Sequence, residues 1–263
     1  MHFLQRLKKF KLIATEIASN PNILMTRSRY LFILSHMRSR SSVLSHLLGS
    51  NIDICGYSEL HKSYLRYSDI LLLKTGLQKS LGCDLNGKYL LDKLLHNKYC
   101  VSSDVLRSVS PKIIILLREP EATIQSIIKM KQNSSDLSFD PAIAAVHAVK
   151  YYCERLKYLS EFAANLRQDF FLLDSSDLID NTSQSLARIT EWLGLDFSLV
   201  SEYMLFNNTG KPGFGDPSEN IMSGRLFRTI VTSEFEISGK LLSKSRLAFE
   251  DCMSTLSAKS FRL

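Results

Sequence analysis

The sequence predicts an α/β fold in which helices flank a central, mostly parallel β-sheet. Short apolar runs that suit buried strands alternate with segments of helical periodicity along most of the chain. The run Lys-Ile-Ile-Ile-Leu-Leu, residues 112–117, is too continuously apolar for an edge strand. Because strands that alternate with helices are joined by crossovers, they pair in parallel and both faces of their sheet are covered.

Each predicted element follows from a local pattern, apolar runs for strands and apolar residues every three or four positions for helices. The predicted strands are residues 30–34, 88–91, 112–117 and 170–173. The predicted helices are residues 43–48, 121–131, 141–167 and 183–193. Gly49 and Gly194 end the first and the last of these helices, and Pro141 opens the longest.

Residues 1–20 are predicted to form a basic amphipathic helix. Apolar residues from Phe3 to Ile17 recur at helical spacing, with basic side chains clustered around them. Packing on the domain is the favoured role, and peripheral membrane contact through residues 2–18 is the alternative. The region lacks a signal-peptide pattern and any apolar run near the roughly 18 residues that span a bilayer. We expect a soluble, cytoplasmic protein with a single domain over residues 1–263.

The composition favours an anionic partner. Lys and Arg number 33 against 26 Asp and Glu, which gives a formal net charge of +7. No aromatic-basic RNA motif or helix-turn-helix pattern accompanies this charge, so we predict no nucleic-acid partner. The five cysteines form no CxxC pair, and the six histidines form no zinc-binding pattern. We therefore expect reduced cysteines and no metal.

A polar segment, residues 35–42, lies between the first predicted strand and the first predicted helix and reads Ser-His-Met-Arg-Ser-Arg-Ser-Ser. Backbone N–H groups and the positive end of a helix converge on an anion placed there. Arg38 adds a guanidinium fork. A nucleoside-triphosphate P-loop requires Gly-x-x-x-x-Gly-Lys-Ser/Thr, and this segment has neither the glycines nor the lysine. The segment predicts an anion site, with a simple helix-capping turn as the alternative.

A second anion-binding pattern follows the third predicted strand, which ends in Arg-Glu-Pro at residues 118–120. Ser126 lies eight residues after Arg118, on the next predicted helix. An arginine at the carboxyl end of a strand and a serine about two helical turns later can hold one phosphate between them. The alternative is an Arg118 side chain paired with a neighbouring glutamate, Glu119 or Glu121.

Together the two patterns resemble the sulfotransferase family that uses 3'-phosphoadenosine 5'-phosphosulfate (PAPS). The resemblance spans roughly residues 30–220 and is closest to bacterial and tyrosyl-protein/carbohydrate-type members. The family's 5'-phosphosulfate loop reads Arg/Lys-Ser-Gly-Ser/Thr-Ser/Thr. The matching residues are Arg38, Ser39, Ser41 and Ser42. Arg40 replaces the glycine, which implies an altered backbone or an outward side chain, and Ser175 replaces a tyrosine. The resemblance implies a three-layer, P-loop-like fold.

The resemblance also implies how the donor, PAPS, and its product, adenosine 3',5'-bisphosphate, are bound. Residues 38–42 would hold the 5'-phosphosulfate, and Arg118 and Ser126 the 3'-phosphate. Residues 211–216, Lys-Pro-Gly-Phe-Gly-Asp, look like the glycine-rich loop that closes over the 3'-phosphate, and an ordinary surface turn is the alternative. The candidate contacts in this loop are Lys211 and Gly213.

Lys93 is the first candidate for the catalytic step. Sulfonate transfer needs groups that neutralise charge on the leaving phosphate and remove the acceptor's proton. Lys93 follows the second predicted strand, and the resemblance matches it to a lysine that approaches the sulfonate; a solvated surface lysine is the alternative. The charge of Arg38 is expected to face the same transferring group. The reaction requires no metal ion.

The general base has three candidates. The resemblance offers two classes, because cytosolic members use a histidine near the lysine, whereas tyrosyl-protein and several bacterial members use a glutamate after the second strand. Glu59 lies at the distance from the loop that fits the glutamate class and is the leading candidate. His61 is the nearby substitute and His96 the more distant one. The alternative for Glu59 is a structural role as the cap of the following helix.

The predicted function is transfer of sulfonate from PAPS to a hydroxyl-bearing acceptor. The rival functions are nucleotide-dependent phosphotransfer on the same architecture and catalytically silent nucleotide binding. The sequence leaves the acceptor open. Tyr151, Tyr152 and Tyr158, on the long predicted helix, could line an acceptor cleft or pack the core, and packing is favoured.

Overall fold

Five parallel strands form a sheet in the computed structural model of the protein, which describes residues 11, 14–15, 18, 21–133, 139–211, 219–226, 228 and 234–261. The strands are β1 (Arg29–Ser35), β2 (Ile54–Cys55), β3 (Tyr89–Leu94), β4 (Lys112–Leu117) and β5 (Phe171–Asp174). Their order across the sheet is β2-β3-β1-β4-β5, and every pairing is parallel. The four predicted strands are confirmed. Strand β2 was not predicted, because two residues are too few to show a pattern.

At least one described helix follows each strand. The described helices are α1 (Ser41–Gly49), α2 (Tyr67–Leu81), α3 (Ser103–Val109), α4 (Pro120–Gln132), α5 (Pro141–Asn165), α6 (Ser175–Asp180), α7 (Thr182–Leu193) and α8 (Gly239–Ser257), with short 3-10 helices at Pro21–Leu24 and Glu219–Ser223. Helices α1, α4, α5 and α7 confirm the predicted ones, and the other four were not predicted. The helix predicted over residues 1–20 falls largely outside the described residues.

Helices cover both faces of the sheet, as the alternation of side chains along β1 shows. Phe32 and Leu34 belong to a core that includes residues of α2, α5 and α8. Leu31 and Ile33 belong to the core on the opposite face, which includes residues of α1 and α7. All four side chains are buried. The predicted α/β fold, a parallel sheet between two helical layers, is therefore confirmed.

The carboxyl ends of β1 and β4 meet at a topological switch point. The chain leaves β1 towards β2, on one side of the sheet, and leaves β4 towards β5, on the other side. In open α/β sheets, ligands bind in the crevice between such diverging connections. The loop after β1 and Arg118 after β4 both border this crevice. The topology therefore brings the two predicted anion-binding patterns together.

Two further observations bear on the expectations from the sequence. Cys55, in β2, and Cys83, after α2, form a disulfide, so the expectation that all cysteines are reduced is wrong for this pair. Within the described ranges, no helix is both long enough and apolar enough to cross a membrane. The single domain predicted over residues 1–263 stays a prediction.

Candidate active site

The loop between β1 and α1 turns sharply at two arginines. Arg38 (φ 60°) and Arg40 (φ 71°) both adopt left-handed backbone conformations. Glycine enters this region freely, whereas other residues do so at a cost in free energy. Arg40 therefore holds a conformation that suits the glycine it replaces. Its side chain contacts the start of α6, where Nη1 donates to the carbonyl oxygen of Ser175 at 3.1 Å.

Buried polar groups anchor the loop to β4. Ser35 Oγ donates to Leu116 O at 2.5 Å, and a second hydrogen bond of 2.7 Å joins it to Ser39 Oγ. His36 Nε2 accepts from Arg118 N at 3.1 Å. Burial lowers the pKa of His36 to about 4, so the ring is neutral at pH 7. The hydroxyl of Ser39, a predicted contact of PAPS, thus forms a hydrogen bond with the last residue of β1.

The side chains of both sequence patterns meet beside this loop. Arg38 Nε donates to Ser126 Oγ at 2.8 Å, and Arg118 Nη1 donates to Arg38 O at 2.9 Å. Arg118 is 8% exposed, and burial together with the charges of Arg40 and Arg38 lowers its pKa to about 10. Arg118 is still protonated at neutral pH, so positive charges repel one another here. An anion bound between them would relieve that repulsion.

The two glutamates considered as partners of Arg118 are engaged elsewhere. Glu119 caps the N-terminus of α4, where its carboxylate accepts from Ala122 N at 2.9 Å. Glu121 forms an ion pair with Arg246 of α8 at 3.0 Å. Among the described residues neither glutamate forms an ion pair with Arg118, although the charge of Glu119 acts on Arg118 and opposes the fall in its pKa.

Lys93 lies in β3, next to the last residue of the strand, and is 1% exposed. Its Nζ donates to Ser42 Oγ at 3.0 Å. Ser41 and Ser42 are both buried in the first turn of α1, where backbone N–H groups have no partner within the helix. The alternative of a solvated surface lysine is therefore wrong. The amino group lies at the positive end of α1, beside the predicted phosphosulfate loop.

Glu59 is a buried carboxylate, 6% exposed, between β2 and α2. Its Oε1 lies 3.4 Å from His61 Nδ1 and has no hydrogen-bond partner among the described residues. Burial raises the pKa of Glu59, and the charges of His61 and Lys93 oppose this increase. The next helix begins only at Tyr67, so the helix-capping alternative for Glu59 is wrong. A buried polar atom without a hydrogen-bond partner is costly, which suits an atom that bonds a ligand.

Two contacts hold the segment of the candidate base against β3. Gly56 has a φ of 125°, and a Cβ atom there would lie 2.3 Å from Leu91 O, so the backbones approach too closely for any side chain. Asp92, buried in β3, accepts from Leu60 N at 2.9 Å and from Tyr64 OH at 2.6 Å. Burial raises the pKa of Asp92 to about 7. Asp92 was not predicted from the sequence, although a carboxylate next to an apolar run was a signal.

The two candidate histidines lie near one aromatic ring. His61 is 44% exposed, and its ring centroid lies 5.8 Å from that of Tyr99. The centroid of His96 lies 6.2 Å from the same ring. Burial, with a smaller effect of the charge on Lys98, lowers the pKa of His96 to about 4, so this ring is neutral at pH 7. His61 is the histidine placed beside the Glu59 carboxylate.

The predicted glycine-rich loop is only partly described. Lys211 is exposed, and its Nζ lies 3.4 Å from Asn208 Oδ1 in the preceding turn. A hydrogen bond of 2.9 Å joins Thr209 in that turn to His46 of α1. Gly213 lies outside the described residues. The turn before the loop therefore packs on α1, and the roles of Lys211 and Gly213 stay predictions.

Three solved sulfotransferase structures share this fold. A sulfotransferase domain from the curacin biosynthetic pathway is 16% identical, with 88% of this chain and 98% of that chain covered and a TM-score of 0.57. Sulfotransferase STF9 from Mycobacterium avium is 12% identical (94% and 80% covered, TM-score 0.50), and STF1 from Mycobacterium tuberculosis H37Rv is 13% identical (94% and 81% covered, TM-score 0.51). No protein-family model and no curated protein sequence matches the chain. The predicted resemblance to sulfotransferases is thereby confirmed for the fold.

Proposed function

We propose that the protein is a sulfotransferase that moves the sulfonate group of PAPS to an acceptor hydroxyl by in-line displacement, with Glu59 as the general base. The observation that carries this proposal is the buried Glu59 Oε1, which has no hydrogen-bond partner among the described residues and feels the charge of Lys93. A carboxylate with a raised pKa can take the proton of a hydroxyl brought to it. The shared fold of three sulfotransferases supports the choice of reaction.

The proposed donor site lies at the switch point between β1 and β4. Arg118 and Ser126 would hold the 3'-phosphate, and the first turn of α1 would bind the 5'-phosphosulfate through its N–H groups. The repulsion that Arg118 experiences from Arg40 and Arg38 supports an anionic occupant. The proposed covering contacts are Lys211 and Gly213.

PAPS, when bound, supplies an activated sulfonate whose S–O bond to phosphate breaks as the acceptor oxygen forms a new S–O bond. Lys93 and Arg38 would neutralise the negative charge that develops on the phosphate. Glu59 would take the acceptor's proton, and burial favours the neutral carboxyl group that results. His61, 3.4 Å from Glu59, is the alternative base.

Thermal unfolding with adenosine 3',5'-bisphosphate tests the donor site, because a ligand that binds only the folded state raises Tm. We expect saturating bisphosphate to raise Tm and ATP with Mg²⁺ to raise it far less. An unchanged Tm with bisphosphate and a raised Tm with ATP and Mg²⁺ would instead indicate a nucleotide-dependent phosphotransferase.

Turnover with isotopically labelled PAPS tests the reaction. A panel of hydroxyl-bearing small molecules, peptides and glycans is incubated with the protein, and products are read by mass spectrometry. We expect the mass of one sulfonate to be added to at least one acceptor. Tight bisphosphate binding without transfer to any acceptor would identify a catalytically silent nucleotide-binding protein.

A further inference from the structure

The hydroxyl group of Tyr151, on α5, forms hydrogen bonds with two backbone segments, the one that follows β1 and the one that follows β3. Tyr151 OH accepts a hydrogen bond from Met37 N at 2.8 Å and donates one to Leu95 O at 2.7 Å. Burial raises the pKa of Tyr151 to about 12, so the hydroxyl keeps its proton at neutral pH. The hydroxyl group therefore accepts a hydrogen bond from the segment after β1 and donates one to the segment after β3.

Arg155, one helical turn later, also bonds both strands, β1 and β3, at their carboxyl ends. It is 0% exposed, and it donates from Nε to Ser35 O at 2.8 Å and from Nη2 to Leu94 O at 2.6 Å. Its Nη1 donates to Asn97 Oδ1 at 3.0 Å. These acceptors are neutral oxygens, so the buried guanidinium carries a desolvation cost that an apolar side chain at this position would avoid.

The two bridges begin where the hydrogen-bonded ladder of the sheet ends. The parallel register of β1 and β3 runs to the pair Leu34 and Leu94. Arg155 bonds β1 and β3 at this end of the ladder, and Tyr151 bonds the two backbone segments that follow these strands. Side chains of α5 therefore supply the hydrogen bonds between the two segments where the ladder between β1 and β3 has ended.

We propose that Tyr151 and Arg155 are positioning residues that fix the distance between Lys93 and Arg38. This inference rests on the proposed function, in which those two groups neutralise the charge that develops on one leaving phosphate. Lys93 is next to Leu94, which Arg155 bonds, and Arg38 is next to Met37, which Tyr151 bonds. A misplacement of about 1 Å in such a geometry can cost on the order of 100-fold in rate. Tyr151 is thus assigned neither to an acceptor cleft nor to simple packing.

The test is Tyr151→Phe, which removes the bridging hydroxyl and keeps the ring. Hydrogen exchange should become at least about fivefold faster in the peptide that covers Met37, because the Met37 N–H loses its acceptor. In turnover, kcat should fall about tenfold, whereas the Kd of adenosine 3',5'-bisphosphate should stay within about twofold, because its proposed ligands are unchanged. The matched control is Tyr158→Phe, on the same helix, which keeps the ring that lies 4.8 Å from the Arg155 guanidinium and 6.4 Å from the Phe162 ring. It should leave all three quantities unchanged.

Unchanged exchange at Met37 in Tyr151→Phe would overturn the proposal, and so would equal acceleration in Tyr158→Phe. A kcat within about twofold of wild type would do the same. The exchange measurement needs no turnover. A wild-type protein that transfers no sulfonate would therefore defeat the proposed function, and the exchange result would still decide whether Tyr151 bridges the two segments.

Discussion

Lys93 Nζ donates a hydrogen bond to Ser42 Oγ at 3.0 Å, which joins β3 to the first turn of α1. The charge of Lys93 also acts on Glu59 and lowers the pKa of that carboxyl group against the effect of burial. One buried cation is therefore within electrostatic reach of both the predicted phosphosulfate loop and the candidate base.

Lys93→Met removes this charge and keeps most of the side-chain length. We expect kcat to fall by roughly 10²- to 10³-fold, because the charge on the leaving phosphate loses a preorganised partner. The matched control is Lys74→Met: Lys74 is also buried, but its Nζ donates to Thr26 O at 2.7 Å. This control should lower Tm and leave kcat unchanged. Equal kcat values for Lys93→Met and wild type would exclude Lys93 from the catalytic step.

Glu59→Gln keeps the size of the side chain but cannot accept a proton. We expect normal folding and bisphosphate binding, with turnover lower by roughly 10²- to 10⁴-fold. His61→Ala and His96→Ala, assayed beside it, should lose much less. If turnover collapses in either histidine variant and survives in Glu59→Gln, the general base is that histidine.

The pH dependence of kcat/KM gives an independent signature of Glu59. Because burial raises the pKa of this carboxyl group above 4.5, the base gains its proton as the pH falls through the raised value, and the rate falls with it. We expect an acidic limb above pH 4.5 in the wild type and none in the residual activity of Glu59→Gln. A limb that persists in this variant belongs to another group, such as Asp92, whose pKa is about 7.

Arg118→Ala should weaken binding of adenosine 3',5'-bisphosphate by on the order of 2 to 4 kcal/mol, the usual effect of deleting one side of a partly desolvated charge pair. Isothermal titration calorimetry measures this directly. Arg107→Ala is the control, because Arg107 is an exposed arginine of α3 paired with Asp104. Its affinity should equal that of wild type. Unchanged affinity in Arg118→Ala would remove Arg118 from the donor site.

The left-handed conformation of Arg40 determines how stability responds to substitution at this position. Arg40→Gly relieves the steric cost and Arg40→Ala keeps it, and both lose the hydrogen bond to Ser175. Urea unfolding should therefore show Arg40→Gly to be more stable than Arg40→Ala by about 1 kcal/mol. The opposite order would show that the loop has a different backbone conformation in solution.

Periodicity in the sequence identified those elements whose patterns are long or continuous. The run 112–117 became β4, and the long segment from Pro141 became α5. Helix α6 has six residues, too few for a helical repeat to show. Helix α8 buries mainly Ser245, Cys252 and Leu256, so its apolar face is weak in sequence. Length and a narrow buried face therefore explain why α6 and α8 were missed. Helix α2 was missed although it has 15 residues and buries Ile70, Leu73 and Leu77 at helical spacing.

Contacts between distant residues explain what the sequence left out of the candidate site. The order of the two motifs was enough to predict that Arg118 lies near the loop of Arg38, because the carboxyl ends of neighbouring parallel strands meet. The bond of Arg155 to Ser35 spans 120 positions and has no local pattern. Arg155 nevertheless lies on the buried face of α5, next to Leu156, which is an unusual place for a charge. A charged residue at an apolar position was thus the available signal.

Backbone contact on both sides of Gly56 restricts which sequences can carry this arrangement. A methyl group on Gly49 would lie 2.4 Å from Gly56 O, and one on Gly56 would lie 2.3 Å from Leu91 O. The end of α1, the chain after β2 and strand β3 are thus stacked here without side chains between them. Mutational tolerance at positions 49 and 56 should therefore be very low, although neither glycine takes part in the proposed chemistry. Such intolerance would reflect the close backbone packing that positions the segment of Glu59. It could be mistaken for a direct role of these glycines in binding.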